Sequence, residues 1–470
     1  MHSDSTLSRV STCFAARGAK TIVMIRASTI NPGSSSAPFS DWELAGIRAY
    51  ALATELFPIC RSITGAGVRA TLRRIQRELP ELQIHEVPSG TKCFDWIVPN
   101  EWTIRNAYIE YSDGTRIVDF AEHNLHVVSY SQPVDVVLSL EELRPHLHSI
   151  PEMPEAIPYV TSYYTERWGF CLPHSMLQKL PPGKYRAKID SSISPGSLTY
   201  GEIVLPGMTQ DEVFLSTYVC HPSLANNELS GPVVTTEILK WLQSMPDRRY
   251  TYRAIFIPET IGSIVYLSRH LEHLKSKVIA GFNITCVGDD RAYSYLPSRH
   301  GETVADQAAL HALTHHIGEG NYRRYTFLDR GSDERQYCSP GVDLPVVSLM
   351  RSKYGEYPEY HTSLDDLTFV TASGLSGSIE LLAKALITIE INSTYQATTL
   401  CEPQLGRRGL YPTLGTRIGS STVRNMMNVL AYADGRHDLL SLSKLLNVPA
   451  WELKPIIDTL VEHKLLEKCQ

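Results

Sequence analysis

The chain has 470 residues, of which 43% are hydrophobic and 20% are charged, so it is too long for one ordinary core and has the composition of a globular protein. Its 44 Lys and Arg residues against 50 Asp and Glu residues give a net charge of −6, which excludes a nucleic-acid surface spread over the whole molecule. The nine cysteines include no Cys-x-x-Cys pair, and no apolar run reaches the ~18 residues of a membrane span. Reduced thiols and the lack of a span predict a cytoplasmic protein of two or three domains.

In chain order, the hydrophobic pattern changes several times. Residues 1–39 are rich in Ser, Thr and Arg, and we predict a disordered leader there, with a transit-like segment or a later start at Met24 as alternatives. Residues 40–93 contain two amphipathic helices, and residues 206–394 alternate strands with helices, so together they predict an α/β/α sandwich with a mixed central sheet. Short strands separated by turn signals predict an inserted all-β domain over 94–205.

Four successive strands of the predicted sheet end in ionisable residues. Their last residues are followed by His221, by Glu259, by Asp289-Asp290-Arg291 and by the segment that leads to His361. In open α/β sheets, ligands and catalytic groups collect at the carboxyl ends of the strands. The sequence therefore predicts a functional site at this edge of the sheet.

The residue types at this edge predict a metal-dependent hydrolase. Two histidines and a carboxylate with an open fourth position are the usual ligands of catalytic zinc, and we assign this role to His221, Glu228 and His361. Glu259 is the candidate general base, which takes a proton from water and passes it to a leaving amine. Asp365 is expected to orient His361 through its other ring nitrogen. The predicted cofactor is one divalent metal, with Zn²⁺ as the first choice.

Other charged and aromatic residues near the strand ends are candidates for substrate binding. Asp333 or Glu334 could bind an α-amino group or complete the metal shell, although a solvated turn explains the same charges equally well. Arg291 and Arg351 could receive a carboxylate or phosphate, or could pair with neighbouring acidic residues. Tyr354 is a candidate wall of the pocket, with plain packing as the alternative.

The sequence resembles two groups of proteins. The segments H-P-S-L-A-N-N-E-L-S-G, P-E-T-I-G-S and Y-H-T-S-L-D-D-L are similar to the co-catalytic zinc aminopeptidases. The fuller resemblance, over about residues 40 to 470, is to an aminopeptidase-like family of unknown function that is often labelled as polysaccharide-biosynthesis proteins. Its motifs here are L-F-P-I-C-R-S-I-T-G, G-D-D-R-A-Y-S-Y and R-G-S-D-E-R-Q-Y-C-S-P-G. The resemblance implies a peptidase-like core, an inserted β domain and a winged-helix appendage.

The chain departs from the two-metal aminopeptidase pattern at three positions. The bridging aspartate falls on Asn227, the second of the paired glutamates on Thr260, and the third-strand aspartate on Thr285. Without these carboxylates two zinc ions are not expected, so one metal with Glu228 as a substitute ligand, or no metal, remains. The resemblance places Asn227 next to the ligands. The alternative function is a catalytically silent binding protein of polysaccharide or secondary-metabolite biosynthesis.

Residues 395–470 predict a winged helix-turn-helix domain, from three short amphipathic helices and a tight turn at Asn447-Val448-Pro449. The presumed recognition helix, 451–463, carries three acidic residues and Lys454, whereas a helix that binds DNA needs cations toward the phosphates. Nucleic acid is therefore not an expected partner, and neither is a membrane. The expected partners are a peptide or aminoacyl substrate and a second copy of the chain, bound through the winged helix or the β domain.

Overall fold

The structure is a computed structural model that describes residues 41–410 and 417–469, with side chains from Ser421 onward in the second range. The predicted disordered leader, residues 1–39, lies outside the described residues.

Helices and strands alternate from residue 212 to residue 391, as the sequence predicts. The α-helices are α1 (Trp42–Leu56), α2 (Ala66–Glu78), α3 (Leu140–Leu143), α4 (His174–Lys179), α5 (Ser230–Gln243), α6 (Ile261–Lys277), α7 (Val304–Ile317), α8 (Glu334–Tyr337), α9 (Ala372–Ile391), α10 (Arg417–Tyr432), α11 (Leu439–Leu446) and α12 (Ala450–Glu462). The 3₁₀ turns are Asn124–His126, Arg144–His146, Phe327–Asp329 and Gly406–Arg408, and a π-helical turn, Ala225–Leu229, precedes α5.

The strands of the described residues fall into several sheets. They are β1 (Gln83–Pro88), β2 (Lys92–Cys93), β3 (Trp96–Ile97), β4 (Glu101–Tyr111), β5 (Arg116–Asp119), β6 (Val134–Ser139), β7 (Leu147–His148), β8 (Phe170–Cys171), β9 (Lys184–Ser194), β10 (Ser197–Leu205), β11 (Glu212–Tyr218), β12 (Thr251–Ile257), β13 (Val278–Asn283), β14 (Ser294–Leu296), β15 (Arg323–Arg324), β16 (Val346–Met350), β17 (Thr394–Ala397), β18 (Asp434–Asp438) and β19 (Leu466–Lys468).

The central sheet is mixed, with strand order β1-β10-β12-β11-β13-β16-β14-β15. The four inner strands β12, β11, β13 and β16 run parallel, while β1–β10, β10–β12 and β14–β16 are antiparallel pairs. Every residue of β11 is buried, because this inner strand is covered on both faces. Val213 and Leu215 point into a core formed with α1, α5, α7 and α9, while Phe214 points into a second core formed with α6. This is the predicted sandwich.

The inserted segment has its own four-stranded sheet, in the order β5-β4-β9-β6. The predicted boundary at residue 205 differs from the observed pairing. Residues 197–205 form β10, which pairs with β1 and β12 of the central sheet and is buried on both faces, with Leu198 and Tyr200 in one core and Ile203 and Leu205 in the other. The chain thus leaves the central sheet after β1 and returns at β10, and the segment between them also contains the short helices α3 and α4.

Helix α9 is long and apolar enough, by length and composition alone, to cross a membrane. However, 67% of its apolar window is buried within the protein, where it packs against α1 and α7. These are the properties of a core helix.

The C-terminal residues form the predicted winged helix, with a three-stranded sheet β18-β17-β19 and helices α10, α11 and α12 around a separate core. The amino end of α12 is not free. The backbone N–H of Ala450 donates to His311 Nε2 of α7 at 3.1 Å, and the Trp451 ring lies 5.3 Å from the His311 ring. Lys384 of α9 lies 5.7 Å from the same indole ring. The helix that would enter a DNA groove is therefore docked, at its amino end, on the peptidase-like domain.

Candidate active site

His221 lies at the carboxyl end of β11 and is buried, with 4% of its surface exposed. Its Nδ1 donates to Glu228 Oε2 at 2.8 Å, and its Nε2 lies 3.6 Å from Glu259 Oε2. Glu228 belongs to the π-helical turn before α5, and such turns often occur at functional sites. Burial alone would lower the pKa of His221, but Cys220 and the hydrogen-bonded Glu228 raise it well above its usual value. The bond to Glu228 thus leaves Nε2 as the nitrogen directed toward Glu259.

Arg61 is a functional candidate that the sequence analysis did not single out. Its side chain is fully buried in the loop between α1 and α2, where Nε donates to the carbonyl of His221 at 3.0 Å and NH1 donates to the carbonyl of Leu56 at 2.7 Å. Arg61 Nε also lies 3.6 Å from Glu228 Oε1, and neither side chain is exposed. A single Arg within the apolar run that ends at Ile63 is the sequence signal that could have identified it. Arg61 provides the positive charge that a buried Glu228 carboxylate requires.

Glu259 follows β12, and the backbone after it is unusual. Thr260 has a φ of 63°, which a β-branched residue rarely adopts, and its N–H donates to Asp333 Oδ1 at 2.7 Å. The same Asp333 oxygen accepts from Ser263 Oγ at 2.9 Å. Burial raises the pKa of Glu259, and burial together with the nearby Glu259 raises the pKa of Asp333 to about 7. Asp333 therefore holds the turn that presents Glu259.

His361, in the loop between β16 and α9, lies close to His221. Its φ is 57°, its carbonyl accepts from the N–H of Tyr159 at 2.8 Å, and its ring stacks on Tyr360 with centroids 3.9 Å apart. The His221 and His361 ring centroids are 5.4 Å apart. Burial lowers the pKa of His361 to about 3, so the imidazole is neutral, and its Nε2 is buried with no hydrogen-bond partner.

The side chains of His221, Glu259 and His361 form the floor of a cavity of about 320 Å³. The lining residues are Ile63, Trp96, Tyr159, Thr161, Tyr163, Tyr164, Cys220, His221, Glu259, Thr260, Ile261 and His361. The five between 96 and 164 come from the inserted segment, so this segment covers the strand ends and forms the aromatic walls of the site.

The predicted substrate-binding residues have other partners. Glu334 is buried and accepts from the N–H groups of Gly331 and Ser332 and from the hydroxyl of Tyr354 at 2.6 Å. Arg291 forms a bidentate pair with Glu359. Arg351 is buried against Tyr293, with its guanidinium 3.9 Å from the ring centroid, and faces Asp290 at 3.5 Å. The substrate-binding role of Glu334, Tyr354, Arg291 and Arg351 stays a prediction: none of the four is among the residues that line the cavity, and the pairing of the two arginines with acidic residues is the alternative observed.

One of the two residues predicted next to the ligands needs a correction. Asp365 was expected to orient His361, but its carboxylate accepts from the N–H groups of Asn226 and Asn227 and from the Tyr357 hydroxyl. It therefore fixes the π-helical turn that carries Glu228. Asn227 is buried in the same turn and donates to the Tyr218 hydroxyl at 2.7 Å.

The donor set fits one divalent cation but not two. At the positions where a two-metal site needs carboxylates, Asn227 and Thr285 bond to each other and to Tyr218, and Thr260 bonds to Arg335 at 2.5 Å. On the cavity side, the unpartnered Nε2 of buried, neutral His361 is a nitrogen donor of the kind that zinc prefers, and the Nε2 of His221 becomes one when it gives up its proton to the site. A carboxylate on the other nitrogen, here Glu228, is the usual partner of a metal-ligating histidine. The ligand role of Glu228 stays a prediction, and in this structure its carboxylate accepts from Nδ1 of His221.

A second arrangement would place a cation on the opposite side of His221. Within the described ranges, Cys220, His221 and Glu228 are the group whose ligand atoms lie within 4.8 Å of one another. A cation there would displace the 2.8 Å bond between Nδ1 and Glu228 and would face the buried Arg61 guanidinium. Burial also raises the pKa of the Cys220 thiol to about 11, which disfavours the thiolate that a metal needs. The cavity side is therefore the better site.

Comparisons with known proteins agree with this architecture. A protein from Clostridium acetobutylicum, named as a polysaccharide biosynthesis protein with aminopeptidase-like domain, is 45% identical over 426 residues, which is 90% of this chain and 96% of that protein. A crystal structure of a protein named as a peptidase, also from Clostridium acetobutylicum, has a TM-score of 0.86 at 43% identity and covers 91% of this chain and 98% of its own.

More distant solved structures share the fold alone. BSAP, a zinc aminopeptidase from Bacillus subtilis, has a TM-score of 0.51 at 13% identity and covers 73% of this chain and 94% of its own. A peptidase M28 precursor from Shewanella amazonensis has a TM-score of 0.52 at 11% identity and covers 77% and 97%. The prediction of a peptidase-like α/β/α fold is confirmed.

Two family models match the α/β part of the chain and the winged helix separately. A model described as a domain of unknown function, DUF4910, matches residues 50–392, and a model described as winged helix-turn-helix matches residues 393–468. The chain therefore belongs to the DUF4910 family, with an aminopeptidase-like domain followed by a C-terminal winged helix-turn-helix domain.

Proposed function

We propose that this protein is a metal-dependent hydrolase of the aminopeptidase type, which cleaves an N-terminal amino acid or a similar amide. The observation that carries the proposal is the convergence of His221 and His361, with ring centroids 5.4 Å apart, beside Glu259 on the floor of one cavity. The crystal structure at 43% identity is named as a peptidase, which supports the same class of reaction, while the relative at 45% identity is named for polysaccharide biosynthesis and also fits the second candidate below.

His221, through Nε2, and His361 would hold one divalent cation, with Zn²⁺ as the first choice for two imidazole donors. When bound, this ion supplies Lewis acidity toward a carbonyl and toward water. Glu228 and Arg61 keep the His221 ring in one orientation, because each bonds to a different part of the same residue.

Glu259 is the group that moves protons. It accepts a proton from the attacking water and donates it to the nitrogen of the leaving amine, so that the carboxylate is restored. Burial raises the pKa of Glu259, which brings a glutamate closer to the value that a general base near neutral pH needs. The bonds from Thr260 and Ser263 to Asp333 hold the turn in place during this transfer.

A second candidate is a binding protein without catalysis that acts in polysaccharide or secondary-metabolite biosynthesis. It is favoured by one specific observation, the neutral Asn227, Thr260 and Thr285 at positions where a two-metal aminopeptidase needs carboxylates. In that case the cavity would hold a ligand and Glu259 would only neutralise it.

Metal analysis of the purified protein and a panel of aminoacyl amides separate the two candidates. We expect about one metal per chain in the wild type, much less in His221→Ala, and no change in His300→Ala, an exposed histidine that does not line the cavity. Hydrolysis by the wild type that is lost in Glu259→Gln supports the hydrolase. Metal content that His221→Ala leaves unchanged, or equal rates with Glu259→Gln, would contradict it.

The winged helix supports a protein contact rather than nucleic-acid binding. Its α12 is docked on α7 and α9 through Ala450 and Trp451, and its charges are mostly acidic. We therefore propose a cytoplasmic protein whose partners are its substrate and a second copy of the chain, which would bind through the winged helix or the inserted segment.

A further inference from the structure

The walls of the cavity above Glu259 are mostly aromatic, whereas its floor carries ionisable side chains. Trp96 and Tyr164 form the mouth, with 37% and 56% of their surfaces exposed and their ring centroids 5.7 Å apart. Phe94 and Ile97, beside Trp96 in the β2–β3 hairpin, are 51% and 56% exposed. An exposed apolar cluster of this kind, at the rim of a cavity, marks a ligand-binding surface.

The inner wall offers few hydrogen bonds to a ligand. The hydroxyls of Tyr159 and Tyr163 bond to each other at 2.5 Å, and the Tyr163 ring also packs edge-on against Tyr130. A sugar ring would need partners for several hydroxyls, and each hydroxyl left unpaired on burial costs free energy. The wall therefore favours a planar apolar group over a sugar.

The charges at the floor restrict the ligand further. None of the residues that line this cavity, all of them in the described ranges, is Lys or Arg, and the lining carboxylate is Glu259. A phosphate or a carboxylate would find no Lys or Arg side chain in this lining, and would depend on the cation that His221 and His361 would hold. An ammonium group would be attracted both by Glu259 and by the faces of the surrounding rings. The volume of about 320 Å³ suits a single small group.

We propose that the cavity binds the aromatic side chain of an aminoacyl group with a free amine, with Trp96 and Tyr164 against the ring and Glu259 against the ammonium. This proposal rests on the proposed function, because it names the substrate class of the same site. It assigns to the inserted segment the role of setting that class.

The test uses ligands that cannot be hydrolysed, so that binding is measured apart from catalysis. Phenylalaninol has both the ring and the amine, ethanolamine lacks the ring, 3-phenylpropanol lacks the amine, and 3-phenylpropanoate is an anion. Calorimetric titration of the full chain is expected to show phenylalaninol binding at least about tenfold tighter than each of the other three.

Variants at the rim locate the site. Trp96→Ala and Tyr164→Ala are expected to weaken phenylalaninol binding about three- to tenfold and to leave ethanolamine binding unchanged. Tyr432→Ala, which removes a 44% exposed aromatic ring from α10, serves as the matched control and should change neither. Because Trp96 and Tyr164 are exposed, these variants are expected to fold, and thermal unfolding curves check this.

The proposal is overturned if phenylalaninol does not bind, if ethanolamine or 3-phenylpropanoate binds equally well, or if the rim variants bind phenylalaninol like the wild type. Its failure is distinct from that of the hydrolase. Selective binding of phenylalaninol without hydrolysis of aminoacyl amides would remove the hydrolase and keep this site. Hydrolysis that depends on Glu259 but shows no aromatic preference would keep the hydrolase and remove this site.

Discussion

The buried contact between Arg61 and Glu228 is the most direct test of how the site is built. In Arg61→Met the chain keeps a long side chain but loses the bonds from Nε to the His221 carbonyl at 3.0 Å and from NH1 to the Leu56 carbonyl at 2.7 Å. It also leaves Glu228, which has no exposed side-chain surface, without its cation. Removing one partner of a fully buried pair costs about 3–5 kcal/mol, a large part of the ~5–15 kcal/mol that stabilises a typical domain.

Urea unfolding followed by circular dichroism measures this cost. Arg48→Met is the matched control, because Arg48 also pairs with a glutamate, Glu237, but has 47% of its side chain exposed; we expect it to cost less than about 1 kcal/mol. Zinc affinity is the second readout, since loss of a group that orients a ligating histidine weakens metal binding about 10- to 100-fold.

A double-mutant cycle separates the stability lost with the contact between Arg61 and Glu228 from the stability lost with the packing of the Arg61 side chain. Arg61→Met, Glu228→Gln and the double variant should show a coupling free energy of about 1–3 kcal/mol, because the second change costs less once the partner charge is gone. If Arg61→Met costs less than about 1 kcal/mol and leaves zinc affinity unchanged, the reasoning about this contact is refuted.

Three further predictions follow from the same structure. Glu259→Gln should lower kcat for an aminoacyl amide by about 10²–10⁴-fold while keeping the metal, and loss of the metal would instead make Glu259 a ligand. For Asp333, with a folded pKa of about 7 against the usual 3.8, the folded state keeps the proton longer than the unfolded state, so ionisation costs stability as the pH rises from about 4 to 7. The free energy of unfolding of Asp333→Asn, measured relative to that of the wild type, should therefore rise by at most about 3 kcal/mol from pH 5 to pH 8. A difference between the urea midpoints of the two proteins that is the same at both pH values would contradict this. A gel shift with duplex DNA should show no salt-dependent complex of the full chain, because α12 is docked on His311; a complex that weakens as salt is raised would overturn the docking argument.

The helices and strands of the central domain could be predicted from the sequence because their hydrophobic patterns are local. The predicted strand 213–219 is observed as Glu212–Tyr218, and the predicted helix 304–316 as Val304–Ile317. The boundary at 205 was not predicted in this way. In the sequence β10 looks like one more short strand after those of the insertion, and only its partners, β1 and β12, show that it belongs to the central sheet.

The candidate site was only partly predictable, because its contacts join distant parts of the chain. His221, Glu259 and His361 stand at strand ends or in recognisable motifs, and the structure brings them together at one cavity. The orientation of His221 depends on Arg61, which lies 160 residues away in the sequence, and no local pattern reveals their contact. The burial of Glu334 was not predictable either. A run of charged residues is usually solvated, but here backbone N–H groups and a tyrosine hydroxyl bury the carboxylate.

The balance of charge explains how this site differs from a two-metal aminopeptidase. Two divalent ions bring four positive charges, and carboxylates at the positions of Asn227, Thr260 and Thr285 would offset three of them. In this chain those positions are neutral, and a buried guanidinium, Arg61, already balances Glu228. A second divalent ion would therefore enter a region that lacks these compensating carboxylates. One ion on the cavity side, close to Glu259 and away from Arg61, is the arrangement that leaves no buried charge without a partner.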